Sequence, residues 1–178
     1  MPRTLLRHVA RLAASIVLLP LLLLLRLAGR VVGGSGVVDF AADDAGMNEA
    51  IAHARSTVGG FVARLDDPAG IDRQAVKVPL PVVGGGSEHV WLADVRLEDG
   101  LLVGTIGNAP ERALGFREGE LLRTKPEQIS DWSYVEDGRL VGGFTVRHLR
   151  NCLSPRERRK LDAALPFTIE EEESGLTG

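Results

Sequence analysis

One stretch of this sequence, residues 131–144, constrains the fold more than any other because it has the pattern of a β-hairpin. Two runs rich in strand-forming residues, Asp131–Glu136 and Arg139–Phe144, are separated by Asp137-Gly138. An Asp-Gly pair favours a type I′ turn, which needs positive φ at both central residues. The turn predicts these cross-strand pairs: Glu136 with Arg139, Val135 with Leu140, Tyr134 with Val141, Ser133 with Gly142, and Trp132 with Gly143. Opposite charges then meet at the turn and a large ring lies over a glycine, so the pattern is self-consistent, although it indicates no chemistry.

A second Asp-Gly pair predicts another hairpin earlier in the chain. Glu88–Glu98 and Leu101–Asn108 read as strands joined by Asp99-Gly100. Regular alternation directs one apolar face of the first strand toward the core and leaves the other face mostly polar near the turn. The apolar face consists of His89, Trp91, Ala93, Val95 and Leu97. The register pairs Leu97 with Leu102, Val95 with Gly104, and Ala93 with Ile106.

Two further segments predict strands. Residues 75–80 alternate in character, and their proline, Pro79, favours either the edge of a sheet or the end of a strand. Residues 121–125 form a shorter strand after a long connection, and a single turn at residues 126–129 leads into the second hairpin. Residues 145–153 are compatible with strand or helix.

Helix signals lie at both ends of this strand-rich region. Asp44 is a candidate N-cap for a helix that is expected to break at Gly59-Gly60. Ser154-Pro155-Arg156-Glu157 is a capping box that opens a helix ending near Leu165. We therefore expect an α+β fold: a twisted antiparallel sheet of about five strands on the two Asp-Gly hairpins, with the broken N-terminal helix and the C-terminal helix covering one face.

Charge and hydropathy separate the N-terminus from the rest of the chain. Residues 1–30 hold five arginines and no acidic residue, and the remainder holds 16 Lys and Arg against 24 Asp and Glu. The acidic remainder has no basic stripe to neutralise phosphates, which argues against nucleic acid as a partner. An uncharged run of 14 residues extends from Leu12 to Leu25. As a helix it would span about 21 Å, which is short for a membrane core of about 30 Å and suits a signal peptide.

The N-terminal segment is accordingly expected to deliver the protein to the cell envelope. Residues 1–30 are a signal peptide or, because no good cleavage site follows the apolar run, an N-terminal membrane anchor; a buried core helix is a further alternative. Residues 31–46 are expected to be a linker, residues 47–169 a single α+β domain outside the cytoplasm, membrane-anchored or secreted, and residues 170–178 a disordered acidic tail. The expected partners are the membrane, through residues 1–30, and an unidentified protein or small molecule.

His89 is the side chain with the most chemical interest. As a general base in a small hydrolase it would need a carboxylate, and the candidates are Asp94 and Asp131, with Glu88 as a further neighbour. The alternative is a histidine hydrogen-bonded at the rim of the core, with Asp131 capping the turn before it or anchoring its strand. The candidates for ligand binding are His89, Trp91, Asn108, Trp132 and Tyr134. Neither a metal nor a cofactor is expected, because no second histidine or cysteine lies at ligand spacing from His89.

Several short motifs between Met47 and Ile169, about two thirds of the chain, resemble the YegJ-like family, domain of unknown function 2314. They are Met47-Asn48-Glu49-Ala50-Ile51, Val76-Lys77-Val78-Pro79, Glu88-His89-Val90-Trp91-Leu92, Gly104-Thr105-Ile106, Ile129-Ser130-Asp131-Trp132-Ser133-Tyr134-Val135, Leu140-Val141-Gly142-Gly143-Phe144-Thr145 and Leu153-Ser154-Pro155. The resemblance implies an α+β domain, often carried by secreted or membrane-tethered bacterial proteins, and implies no activity or catalytic residue. The preferred interpretation is a non-enzymatic binding domain, with the His89 hydrolase as the alternative.

Overall fold

The computed structural model describes residues 44–170 and contains a six-stranded antiparallel sheet with helices on both sides. The elements in chain order are α1 (Ala45–Asp66), β1 (Ile71–Pro81), β2 (Ser87–Glu98), β3 (Leu101–Ile106), β4 (Leu121–Thr124), a 3₁₀ turn (Pro126–Gln128), β5 (Asp131–Glu136), β6 (Arg139–Gly142), α2 (Phe144–Cys152) and α3 (Pro155–Ala164). The strands lie in the order β4-β3-β2-β1-β5-β6. The predicted α+β class is confirmed, with six strands where about five were expected.

The second hairpin has the predicted turn and, over four pairs, the predicted register. The Asp137-Gly138 turn has φ values of 49° and 74°, and the first four predicted pairs are formed. Strand β6 ends at Gly142, so the fifth pair, Trp132 with Gly143, is absent from the ladder, although the Gly143 amide still donates to the Trp132 carbonyl at 2.8 Å. The Trp132 ring covers Gly142 rather than Gly143, since a Cβ on Gly142 would lie 2.6 Å from ring atom Cε3.

The first hairpin has the predicted register only beside its turn. A β-bulge between Ala93 and Arg96 shifts the ladder by one residue, and within it Asp94 has a φ of 53°. The observed pairs include Leu97 with Leu102, Arg96 with Val103, and Ala93 with Thr105. The predicted pairs Val95 with Gly104 and Ala93 with Ile106 are wrong, because the extra residue reverses the alternation of side chains.

Both faces of β2 are buried, whereas the sequence pattern predicted one buried face. Val90, Leu92 and Val95 pack together on one side of the sheet because the bulge returns Val95 to that side. Trp91 and Ala93 lie on the opposite side in a second apolar cluster. A pattern with one solvent-exposed face therefore does not describe this strand, because helices cover the sheet on both sides.

Helix α1 is continuous, so the predicted break at Gly59-Gly60 is wrong. Its N-cap is Asp44, as predicted, with the carboxylate accepting from the Met47 amide at 3.0 Å. Each glycine costs about 1 kcal/mol relative to alanine in a helix, yet fully buried Ala54 before the pair and Phe61 after it hold both halves against the sheet. The glycines themselves are exposed, with nothing within 4 Å of an added Cβ.

Strand β1 lies in the middle of the sheet rather than at its edge, and Pro79 lies near the end of the strand, which is the other position that the proline predicted. It pairs with β2 over Ala75–Pro81 and with β5 between Ile71 and Lys77. Strand β5 begins at Asp131, opposite Lys77, so it does not reach Pro79. At Pro79, β1 therefore pairs only with β2, and a proline can be accommodated on the unpaired side.

The helices divide between the two faces of the sheet, which corrects the prediction that they cover one face. On the first face, here called the α1 face, the main contacts of α1 are made by Ala54, Phe61 and Leu65 against Val76, Val78, Leu92, Leu102 and Trp132. On the second face, here called the α2 face, Val146, Leu149 and Leu161 pack against Trp91, Ala93, Val135 and Leu140. Both sheet surfaces are apolar and each needs a cover.

The C-terminal part of the domain completes the α2 face. The segment left undecided between strand and helix is helical, as α2, and the predicted capping box of α3 is formed by Ser154 and Glu157. Residues 165–169, here called the C-terminal strap, follow α3, and Thr168 exchanges backbone hydrogen bonds with Gly138 in the hairpin turn and with Leu140 in β6. Between residues 44 and 170, no helix has the length and apolar character needed to cross a membrane. The signal or anchor at 1–30, most of the linker, and the tail after residue 170 lie outside the described residues.

Candidate functional site

Asp131 is fully buried at the start of β5 and caps helix α2. Its Oδ1 accepts from the backbone amides of Trp132 at 2.8 Å and Phe144 at 3.1 Å. Its Oδ2 accepts from the Thr145 amide at 2.8 Å and the Thr145 hydroxyl at 2.6 Å. The structural role predicted for Asp131 is present, but it serves the helix that follows the hairpin rather than the turn at residues 126–130. The capped helix follows β6, which the local sequence around Asp131 does not reveal.

Lys77 on β1 is the cross-strand neighbour of Asp131 on β5. The two side chains have opposite charges, and both are buried. The Lys77 Nζ donates to the Thr145 hydroxyl at 3.4 Å and lies 5.9 Å from the centre of the Trp91 ring. Burial lowers the pKa of Lys77, and Asp131 acts in the opposite direction. Burial raises the pKa of Asp131, while the Thr145 hydroxyl and Lys77 act to lower it. For both groups burial has the larger effect on the pKa, and the opposite charge offsets only part of it.

His89 is hydrogen-bonded to Ser130 at the rim of the same face. Its Nδ1 lies 2.8 Å from the Ser130 hydroxyl, which donates to the Lys77 carbonyl at 3.2 Å. Since a serine hydroxyl has one proton, this assigns the Nδ1 hydrogen to the histidine and leaves Nε2 as an acceptor. Desolvation, Lys77 and Arg55 lower the pKa of His89 to about 4, although the ring is exposed and solvent offsets part of the desolvation. A neutral histidine donating to a buried serine fits the structural alternative predicted for it.

The carboxylates proposed as partners of His89 are engaged elsewhere or distant. Asp94 lies in the β2 bulge, exposed and five positions along the strand, which corresponds to about 16 Å. Glu88 accepts three backbone amide hydrogen bonds from residues 111–113, each at 2.7 Å. Across residues 44–170 no hydrogen bond or ion pair joins His89 to Asp94 or Asp131, and no group of three or more His, Cys, Asp and Glu side chains is arranged to hold a metal.

The aromatic candidates for ligand binding are separated by the sheet. Trp132 and Tyr134 stack with Phe61 on the α1 face, at ring-centre distances of 5.3 Å and 6.3 Å from it. The Trp132 indole donates to the Ala54 carbonyl at 3.0 Å, so it is part of the core. Trp91 faces the opposite side, and these rings therefore do not line one groove. Asn108 follows β3, and its Oδ1 is buried without a hydrogen-bond partner in the described part of the chain.

A small apolar pocket lies on the α2 face of the described domain. It encloses about 40 Å³ between the sheet, α2 and the C-terminal strap. Its lining residues are Arg73, Ala75, Trp91, Ser133, Val135, Leu140, Val146, Leu165, Phe167 and Ile169. Trp91 was a predicted ligand-binding residue and belongs to it. Sequence reasoning missed Arg73 and Ser133, because their place at this pocket depends on a bulge in β1 and on the packing of the strap.

Comparison with known proteins places the described domain in a family without an established activity. The family of uncharacterised proteins conserved in bacteria, DUF2314, matches residues 44–168. The chain is 33% identical to the uncharacterised protein YegJ of Escherichia coli K12 over 123 residues, which cover 69% of this chain and 79% of that one. It is 32% identical over 97 residues to a putative ankyrin repeat protein of Neisseria meningitidis serogroup B, covering 53% of this chain and 38% of that protein. No solved structure matches.

The relatives resemble this chain over different shares of their length. The alignment includes most of the Escherichia coli protein but little more than a third of the Neisseria protein. The family match covers well over half of the present sequence and contains the six strands and three α-helices found between residues 44 and 170. The chain therefore belongs to the DUF2314 family, as the motifs of its two hairpins predicted.

Proposed function

We propose that this protein is a non-enzymatic binding domain delivered to the cell envelope by residues 1–30, and that it binds its ligand in the apolar pocket of the α2 face. The observation that carries the proposal is the pocket itself. Its walls come from three separate parts of the fold, namely the sheet, α2 and the C-terminal strap. Apolar walls with a few polar groups are the usual composition of a small-molecule site.

The arrangement of the polar side chains favours binding over catalysis. Both carboxylate oxygens of Asp131 accept hydrogen bonds from the first turn of α2, and the Ser130 hydroxyl donates to a backbone carbonyl. A hydrolase would need a general base in contact with an activated nucleophile or a positioned water. The contacts of His89 and Asp131 instead stabilise the fold, which is why the hydrolase is the weaker candidate.

Export to the envelope rests on the order of parts along the chain. A basic end, an uncharged run from Leu12 to Leu25, a glycine-containing linker and an acidic domain follow one another. This order is typical of a signal peptide or signal anchor. A reporter that is active only outside the cytoplasm, fused after Gly178, tests it. Activity that is lost when residues 1–30 are deleted supports export, and a silent fusion to the full-length chain contradicts it.

Binding at the pocket is tested with a neutral probe. Hexan-1-ol is titrated into the full-length chain carrying isotope-labelled methyl groups, and we expect shift changes centred on the methyls of Leu140, Val146 and Leu165. The variant Ala75→Val should reduce them, because its added methyls enter a pocket of only about 40 Å³. The control Ala163→Val lies on the exposed side of α3, outside the pocket, and should leave them unchanged. Absence of saturable changes at these methyls would contradict the proposed site.

A further inference from the structure

Arg73 reaches the pocket from a backbone conformation that arginine seldom adopts. Asp72 pairs with Val135 and Ala75 with Ser133, so β1 contains one more residue than β5 over this interval. Within this bulge Arg73 has a φ of 57°. A non-glycine residue at positive φ is strained by about 1–2 kcal/mol. Bulges re-aim side chains, and here the re-aimed side chain is an arginine in the lining of an apolar pocket.

The guanidinium of Arg73 makes one weak electrostatic contact within the described domain. Its partner among residues 44–170 is Asp72, with Nε and Oδ1 3.5 Å apart, and that aspartate side chain is 66% exposed. The Arg73 side chain is itself only 26% exposed, and no hydrogen bond from it is formed within the described domain. Other partly covered arginines are engaged, as Arg55 is with the Ile129 carbonyl at 2.9 Å and Arg64 with Glu136 at 2.9 Å. Arg73 is thus a largely covered cation with spare donors.

Ser133 supplies a second polar group inside the same pocket. The residue is 8% exposed, and it lines the pocket from β5. Within residues 44–170 its hydroxyl forms no hydrogen bond, unlike the neighbouring buried hydroxyls of Ser130 and Thr145. A hydroxyl without a protein partner at the surface of a pocket is available to hydrogen-bond water or a ligand. A hydroxyl left open toward an apolar pocket is therefore matched to a polar group of a ligand.

We propose that the pocket binds small aliphatic monocarboxylates, an assignment that rests on the binding function proposed above. The carboxylate is held by the Arg73 guanidinium and the Ser133 hydroxyl, and the tail lies against Trp91, Val146 and Phe167. A planar guanidinium fork matches a carboxylate in geometry and charge. The volume of about 40 Å³ is far below the roughly 150 Å³ cavity that admits benzene, so the pocket takes up part of an unbranched tail and excludes rings.

Matched probes with one tail and different head groups test this assignment. Hexanoate, hexan-1-ol and hexylamine are titrated into the full-length chain with labelled methyls, and butanoate shows the effect of tail length. We expect hexanoate to bind more tightly than hexan-1-ol and hexylamine to bind least. Each added methylene should strengthen binding by up to about fourfold until the pocket is full.

The variant Arg73→Asn separates charge recognition from folding, because asparagine tolerates positive φ. It should lower the affinity for hexanoate by about tenfold and change the affinity for hexan-1-ol by less than about twofold. Arg123→Gln is the matched control, since Arg123 pairs with Glu98 outside the pocket, and it should change neither affinity. Ser133→Ala should weaken hexanoate by a smaller factor than Arg73→Asn.

The outcomes distinguish this inference from the binding function on which it rests. Equal binding of hexanoate and hexan-1-ol, or unchanged hexanoate binding in Arg73→Asn, overturns the carboxylate assignment and leaves the apolar site standing. Tighter binding of hexylamine also overturns it. If none of the probes shifts the pocket methyls, both proposals fail. Shift changes that persist in Ala75→Val would show partition outside the pocket and would count against both.

Discussion

Replacing Asp131 by asparagine tests whether the buried polar pair is a structural element. The substitution keeps the shape of the side chain but removes its charge and one of its two acceptor oxygens. In the folded domain Oδ1 and Oδ2 each accept from two donors, so an amide NH₂ at either position would face N–H or O–H groups. It would also leave Lys77 without its compensating charge.

The expected loss of stability follows from these two effects. Each buried donor left without its acceptor costs about 1–3 kcal/mol, and Lys77 loses the nearby negative charge in addition. Loss of a helix cap alone costs about 1 kcal/mol. We therefore expect Asp131→Asn to lower the free energy of unfolding by about 3–5 kcal/mol, with the cap counted inside that range.

Urea unfolding of the full-length chain, followed by tryptophan fluorescence, measures this loss. The matched control is Asp94→Asn, because Asp94 is exposed and sits at a φ of 53°, which asparagine accepts. It should change stability by less than about 0.5 kcal/mol. A loss below about 1 kcal/mol for Asp131→Asn would show that the buried Asp131 contributes no more than an ordinary helix cap. The double variant with Lys77→Met should lose less than the sum of the single variants, since the two side chains share one interaction.

Three further predictions concern single side chains. Gly142→Ala should destabilise the fold by about 1–3 kcal/mol in urea unfolding, because its Cβ would lie 2.6 Å from the Trp132 ring and its φ is 71°. The control Gly59→Ala, at an exposed position of α1, should instead stabilise the fold by about 0.5–1 kcal/mol. The pKa of His89, measured by NMR titration, should lie well below the usual value of about 6.5. Below pH about 6.5 the unfolded chain then binds a proton that the folded chain does not, so stability should fall as pH drops toward about 4 and His89→Gln should flatten that fall. Ser154→Ala should cost about 1 kcal/mol by removing the cap of α3, and Ser56→Ala, on the exposed surface of α1, is its control.

The sequence predicted those parts of the fold that depend on local chemistry. Both Asp-Gly turns, the Asp44 cap and the Ser154–Glu157 capping box are present because each requires only residues that are neighbours in the chain. The register also followed correctly for as long as the alternation was regular. It was wrong where a bulge intervened at Asp94, since neither Asp94 nor its neighbours have a composition that marks a bulge.

Features that depend on tertiary contacts could not be predicted in the same way. The Gly59-Gly60 pair has the local signature of a helix break, but burial of Ala54 and Phe61 on either side outweighs it. Arg73 shows no sequence signal for its bulge. The division of the helices between two faces required knowing that both sides of β2 are buried.

The polar pair and the apolar pocket belong to one arrangement on the α2 face. Asp131 fixes the first turn of α2 through Thr145, and the next residue, Val146, forms a wall of the pocket. Lys77, which completes the pair, lies against the ring of Trp91, another wall. Because the buried charges constrain both walls, the pocket is held in shape by groups that do not enter its lining. A network that positions a binding site in this way gives a reason for two charged residues to lie inside the sheet beside apolar walls.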